Sequence, residues 1–492
     1  MDTAMIDPRT PVLVGVGVVQ QKEKDPARAE EAVALMTRAA RLAGEDSGVP
    51  ALLAALERIA VPQGLWSYSD AARMVARAIG AEQARTTCAQ VGILQQSLMS
   101  AACSRIAAGE SRVEMVLGGE ARFRQLQAQI AGQQAPETAF TEAPDELLKP
   151  DAELVLDAEV SGGLGYMPVG YYAIIESAFR HSMGWGVEEH RDRMAALYER
   201  FSEIAVQNPD AWKRERVPAE QIRNASAKNR MLAFPYTKLH NTSWNVDQAA
   251  ALLFCSAGLA SEMGVPRERW VFPRAGTESN HMLALSQRPE LHRCPGAQLA
   301  GRRALALAGI SVDELDLLEM YSCFPIAVES YATEIGIPLD RDLSVTGGMP
   351  FAGGPLNNYV LQATARMARL LRERGQGAGL VTSVSGYLTK QGFGVWSMAP
   401  GEGFGFADVT EEVAALAPAR RVSELVDGPV TIRGCTVMYH EDRALCAVAV
   451  VDQADGSRSV ASSQDPAVMA MFESSECCGN SARVEGGQLR SG

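Results

Sequence analysis

The sequence predicts an α/β fold made of two related halves, with a helical lobe inserted into the first half and a β-rich module near the C-terminal end. Three observations predict it. Residues 86–120 and 315–386 run through the same order of buried strand, amphipathic helix, buried strand and small closing residues. Residues 122–240 break with both blocks through their Gln, Glu, Pro and aromatic content. Beyond Gly405, apolar and polar residues alternate in the manner of half-buried strands.

Residues 10–20 (TPVLVGVGVVQ) are a β-branched apolar run that predicts a buried strand. Residues 29–43 carry apolar side chains at helical spacing, and residues 57–61 (ERIAV) predict a second strand. Residues 86–91 then read as a strand, 92–109 as a helix closed by Gly109, and 113–117 as a strand ending on Gly118-Gly119-Glu120. In the second block, residues 315–321 (LDLLEMY) read as a strand. Residues 357–372 read as a helix entered after Gly353-Gly354-Pro355, and 379–384 as a strand closing on Ser385-Gly386. The lobe carries helical stretches near 171–179 and 190–207, and an insertion of this kind commonly covers a ligand. In the module, strands at 430–439, 444–451 and 459–462 are punctuated by Asp455-Gly456, with a helix at 466–472 and a strand at 482–484. The expected domains are residues 1–121 with 241–300 for the first half, 122–240 for the lobe, 301–407 for the second half and 408–492 for the module.

The chain has 492 residues, more than one hydrophobic core usually spans. Its 47% apolar and 21% charged content is that of a soluble globular protein. Asp plus Glu number 59 against 46 Lys plus Arg, a net charge of −13 that argues against nucleic acid or an anionic membrane as the main partner. No apolar run reaches the roughly 18 residues of a spanning helix; the longest, residues 249–260, is too short. Asp2 and Asp7 stand where a secretory signal would be apolar, so a cytoplasmic location is expected. Nine cysteines in mostly apolar surroundings fit a reducing compartment, and six scattered histidines show no zinc-site spacing.

Four motifs stand in order: Ile106-Ala-Ala-Gly109 leading to Gly118-Gly119-Glu120, then Asn245-Val-Asp247-Gln248-Ala-Ala-Ala251, Tyr321-Ser-Cys-Phe324 and Gly353-Gly354-Pro355. Together they resemble the thiolase superfamily over residues 10–405, and within it the type-1 thiolase-like proteins classed with acetyl-CoA acetyltransferases. The resemblance implies a thiolase fold, with duplicated halves packed as five layers (αβαβα), a helical loop domain in the first half and an additional OB-like β domain. It further implies acyl-CoA as the partner and a place in lipid metabolism. The coenzyme A thioester serves as substrate or ligand, with no covalently bound cofactor. A homodimer is implied, or a monomer if the added domain replaces the dimer contact.

Thiolase chemistry needs a thiolate at a helix N-terminus, a base for the α-proton and donors for the enolate or thioester oxygen. On the family's spacing the nucleophile falls at Gly92, where there is no thiol. The histidine of the family's Gly-His-Pro becomes Gly354, and its second cysteine falls near Ser383. The remaining motif becomes Tyr321-Ser322-Cys323-Phe324, so covalent Claisen chemistry is not expected. Tyr321 is the candidate acid/base for non-covalent aldol or retro-aldol chemistry, provided that neighbours lower its pKa. Thiolase-like aldolases of steroid side-chain breakdown, which place a tyrosine at this motif position and work with an OB-fold partner, resemble the chain in this respect. Tyr359 is a possible second phenol. Backbone N–H groups of Gly92, Gly353 and Gly354 are expected to face the thioester oxygen, with a pocket enlarged by the missing side chains and a helix dipole near Gly92.

Two alternatives stand beside this reading: a catalytically silent acyl-CoA-binding or scaffold protein, and a cysteine-dependent acyltransferase using Cys323 or Cys88. Cys103, Cys435, Cys446, Cys477 and Cys478 read as packing or surface residues. Gly15-Val-Gly17 is only a fragment of a dinucleotide fingerprint. Lys390 reads as solvated, and Lys213, Arg214, Arg216 and Lys228 as a charged helix face within reach of a ligand phosphate.

Overall fold

The alternating strand and helix patterns assemble into three sheets in the computed structural model, which describes residues 6–150 and 155–490. Asp2, weighed above for a signal sequence, lies outside them. The strands of the first half and lobe are β1 (Pro11–Gln21), β2 (Arg58–Pro62), β3 (Arg85–Ala89), β4 (Val113–Ala121), β5 (Glu146–Leu148), β6 (Met231–Ala233), β7 (Tyr236–Thr237) and β8 (Asp247–Ser256). Then follow β9 (Phe272–Ser279), β10 (Leu317–Glu319), β11 (Ala378–Ser385), β12 (Lys390–Ser397) and β13 (Gly405–Asp408). The module adds β14 (Gly428–His440), β15 (Arg443–Gln453), β16 (Arg458–Ser463), β17 (Ser481–Glu485) and β18 (Gln488–Arg490).

The first sheet has the order β1-β8-β4-β2-β3-β5 and the second β10-β11-β12-β9-β13. Each mixes parallel and antiparallel pairs, as the duplicated sequence pattern predicts. The sequence of β8, DQAAALLFCS, is buried at every position because helices cover both of its faces. The Gln95–Ala108 and Tyr359–Arg374 helices touch strands of both sheets and form the middle layer. The Ala32–Asp46 and Pro295–Ala308 helices lie on the outer faces, which completes five layers. Gly15 and Gly17 find their reason here. A Cβ on either would stand 2.0 Å from the carbonyl oxygen of Ala43 or Ala39, so glycine lets the Ala32–Asp46 helix lie directly on β1.

The observed boundaries differ from the expected ones at several places. The helix expected from Gly92 begins at Gln95, because Gly92 has a φ of 107° and turns the chain instead. The strand expected over 315–321 is only the short β10. Strand β9, inside the 241–300 range expected for the first half, pairs with β12 in the second sheet. The lobe is not a separate body either. Its β5 extends the first sheet by pairing parallel with β3, and its β6 pairs with β14 of the terminal antiparallel sheet. That sheet, β16-β15-β14-β17-β18, is therefore closed by residues from the middle of the chain. No helix among the described residues is long and apolar enough to cross a membrane.

Candidate functional site

Tyr321, Cys323, Ser383 and Gly354 are linked through shared contacts near the end of the second sheet. Tyr321 follows β10, and its N–H donates to Thr382 Oγ1 of β11 at 2.8 Å, one residue before Ser383. Ser383 is buried, and its carbonyl accepts the Tyr331 hydroxyl at 3.2 Å. The Ser322 hydroxyl oxygen accepts the N–H of Met349 at 2.9 Å, and the carbonyl of Cys323 accepts the Thr242 hydroxyl at 3.4 Å. Thr242 and Met349 in turn pack at Gly354. Gly92 joins through the helix it precedes, where Gln95 Oε1 accepts the N–H of Val360 at 2.9 Å.

At these positions the missing side chains have left no room behind. A Cβ on Gly92 would lie 3.1 Å from two atoms of the Pro150 ring, and the positive φ strains any other residue there. A Cβ on Gly354 would lie 2.3 Å from Thr242 Cγ2 and 2.9 Å from Met349 Cε. One on Gly353 would lie 2.2 Å from Gln248 Oε1. The expectation of an enlarged pocket is corrected by this packing. Of the three expected oxyanion donors, Gly354 is corrected, since its N–H already donates to the Ser243 carbonyl at 3.0 Å. The helix dipole is displaced from Gly92 too, because the first helical residue is Gln95.

The electrostatics correct the expected activation of Tyr321. Its half-buried phenol meets the Tyr359 ring edge-on at 5.8 Å, and burial, followed by the charge at Cys323, raises its pKa. The phenol therefore stays protonated and acts as a donor, not a base. Among the described residues its hydroxyl has no hydrogen-bond partner of its own. Tyr359 is no second phenol for a ligand: its hydroxyl donates to the buried Glu319 at 2.5 Å and meets Thr346 Oγ1 at 2.7 Å.

Neither candidate sulfur is poised for attack. Cys323 is buried beside Tyr172, whose ring stacks on Phe324 at 4.3 Å, and burial pushes its thiol up to about 12. Cys88 sits in β3 with its sulfur 3.7 Å from Asp70 Oδ1; burial and that carboxylate push it up to about 12 as well. Lys390 is not solvated as expected but buried at the start of β12 opposite Ser385, and its charge bears on Glu278. The charged helix face expected from Lys213, Arg214, Arg216 and Lys228 is corrected: all four lie in connecting segments outside the helices, and Arg216 pairs from there with Glu199 and Glu203 at 2.6 and 2.7 Å.

Sequence reasoning missed the residues that fill the site, Pro150, Thr242 and Met349, because no motif marks them. It also passed over Glu120, whose signal was available: a carboxylate ending a wholly buried strand. Its Oε1 accepts the Leu65 N–H at 2.7 Å, and burial pushes its pKa up to about 8. Between the ordinary carboxyl value of 4.5 and about 8, the native state keeps a proton that the unfolded chain releases, so stability falls as pH rises through that window. Urea unfolding of wild type and Glu120→Gln at pH 5 and pH 8 is expected to show the loss reduced in the variant by about 1–3 kcal/mol. An unchanged loss would show that Glu120 is already ionised in the native state.

No family model matches the chain. Among curated proteins, an acetyl-CoA acetyltransferase of Methanothermobacter thermautotrophicus is 29% identical over 212 residues, covering 40% of this chain and 53% of that protein. The chain thus spans about half the length of that curated relative in the match. Among solved structures, a monomeric SCP2-thiolase-like protein type 1 from Mycobacterium smegmatis is 27% identical, covers 99% of both chains and superposes with a TM-score of 0.82. The Ltp2–ChsH2(DUF35) aldolase shares the fold, with a TM-score of 0.59 and 17% identity over 79% of this chain and 98% of that one.

Proposed function

The chain belongs to the thiolase superfamily, and from that premise we propose that it binds a coenzyme A thioester and acts on its carbonyl group without a covalent acyl intermediate. The supporting observation is the juxtaposition at Tyr321. A neutral phenol without an internal partner stands near a thiol held inert by burial, in a chain that carries a glycine where the family places its nucleophile. A neutral donor aimed at a thioester oxygen stabilises the charge that develops there as an adjacent carbon–carbon bond opens or forms. Retro-aldol cleavage of a β-hydroxyacyl-CoA has this requirement and needs no sulfur nucleophile. The Cα–Cβ bond breaks to a free carbonyl and a thioester enolate, the β-hydroxyl proton passes to solvent water, and the enolate takes a proton from water at its α-carbon; the aldol direction is the reverse. The fold shared with an aldolase is compatible with it.

A second reading, silent binding of acyl-CoA, draws support from the close packing of Pro150, Thr242 and Met349 on the vacated positions. A monomer is part of the proposal, since β5 shields the edge of β3 that would otherwise offer its backbone to another chain.

The test is turnover of β-hydroxyacyl-CoAs, with thioester and carbonyl products measured for wild type and Tyr321→Phe alongside calorimetric binding. Loss of one such donor is expected to lower kcat by about 100-fold while binding persists. Tight binding without wild-type turnover selects the silent reading. An acyl adduct on any cysteine, detected by intact mass during turnover, overturns both.

A further inference from the structure

We propose that Glu176, His190 and Glu329 form a buried site for one divalent transition-metal ion that staples the lobe to the second half. Glu176 lies on the Pro168–Ser182 helix and His190 on the Val187–Gln207 helix, both in the lobe. Glu329 lies on the Pro325–Ile335 helix, which begins directly after Phe324. Their side chains are 0%, 1% and 3% exposed. His190 Nε2 stands 3.0 Å from Glu176 Oε1 and 3.5 Å from Glu329 Oε2, and a ligand atom from each residue falls within 4.8 Å of the others.

Two independent features point to a ligand in their midst. The first is a fully buried carboxylate oxygen, Glu176 Oε1, that makes no hydrogen bond, while the other oxygen of the same group accepts the Tyr236 hydroxyl. Its near neighbour is His190 Nε2 at 3.0 Å, an ion pair outside hydrogen-bond geometry, so the acceptor is incompletely satisfied and a cation would complete it. The second is the donor spacing. An ion about 2.1 Å from each donor would see them at angles of about 90° and about 110°, within the range that zinc and its neighbours accept.

Charge balance leads to the same place. Neither carboxylate pairs with a lysine or arginine among the described residues, and the rings of Trp185 and Phe179 flank the imidazole. Two carboxylates, a neutral imidazole and one dication sum to zero; without the ion, two bound protons must supply the same charge. Two oxygens and one imidazole nitrogen suit Mn²⁺, Fe²⁺ or Zn²⁺ better than Ca²⁺ or a thiophilic ion. The ion would fix the helix that carries Tyr172 over Cys323 and Phe324, which makes the site a positioning device independent of the proposed reaction.

The full-length protein, stripped with a chelator, is incubated with Zn²⁺ or Mn²⁺, desalted and analysed for metal, with thermal unfolding recorded across metal concentrations. One equivalent retained by wild type and a melting temperature that climbs with the logarithm of metal concentration are expected. Glu329→Gln and His190→Gln should each lose the equivalent, with circular dichroism reporting that they fold. No retained metal in wild type overturns the site, and so does equal retention by wild type and both folded variants, since the ion would then sit on other residues.

Discussion

A chain carrying Gly92→Cys and Gly354→His is expected to unfold about 2–6 kcal/mol more easily than wild type and to form no acyl-enzyme. These substitutions put back the two side chains that the family's covalent chemistry uses, so a simple loss-of-residue account predicts a gain of activity. The packing predicts the reverse. At Gly92 the φ of 107° costs any residue with a Cβ, and that Cβ would press on the Pro150 ring at 3.1 Å. At Gly354 an imidazole would have to displace Thr242, which holds the Cys323 carbonyl, and Met349, whose N–H is tied to Ser322. Chemical denaturation gives the stability, and intact mass after exposure to acetyl-CoA gives the adduct. A stable double variant that acylates would mean that Pro150 and Met349 move aside readily, and the filled-site account would fail.

Glu319→Ala is expected to cost about 3–5 kcal/mol, the range for removing one side of a buried charged network. Glu319 is wholly buried and accepts five hydrogen bonds. Oε2 takes the Ser344 hydroxyl at 3.0 Å and the N–H groups of Val345 and Thr346 at 2.8 and 2.9 Å. Oε1 takes the hydroxyls of Thr346 at 3.1 Å and Tyr359 at 2.5 Å. Alanine leaves these donors unpaired in the interior, and the segment that carries Met349 loses its anchor. Burial raises the pKa of Glu319, and the Tyr359 and Ser344 hydroxyls and the Thr346 and Val345 N–H groups work against that rise. The variant is therefore expected to show greater solvent exchange at residues 344–349 by hydrogen–deuterium exchange, together with a lower urea midpoint. Unchanged exchange there would mean that the loop is held by its other contacts.

Much of the fold was legible because it rests on local pattern. The apolar runs of β1 and β4 and the helix closed by Gly109 declare themselves through spacing and a terminal glycine, whose left-handed φ ends the helix, whereas the apolar run of β8 was not read as a strand. Long-range pairing was not legible. Nothing local to Phe272–Ser279 says that it joins the second sheet, or that Met231–Ala233 pairs with the terminal module. At the candidate site, the missing thiol and imidazole could be read from the motifs, but what replaced them could not. Pro150, Thr242 and Met349 come from distant segments and fill space through packing, which leaves no periodic trace. The acidity of Tyr321 was misjudged for a related reason: a phenol's pKa depends on the desolvation that the whole fold imposes, and the sequence around 321 names no charge that would lower it.

The union of β6 with β14 bears on how the chain is made. Ala233 must wait for Met438, about 200 residues of further translation, before the last sheet can close, so the ribosome releases the two α/β halves well ahead of their final clasp. During that interval β6, paired only with β7, leaves open the edge that later meets β14 and on which a holdase chaperone would act, and truncations that remove Met438 would leave that edge open.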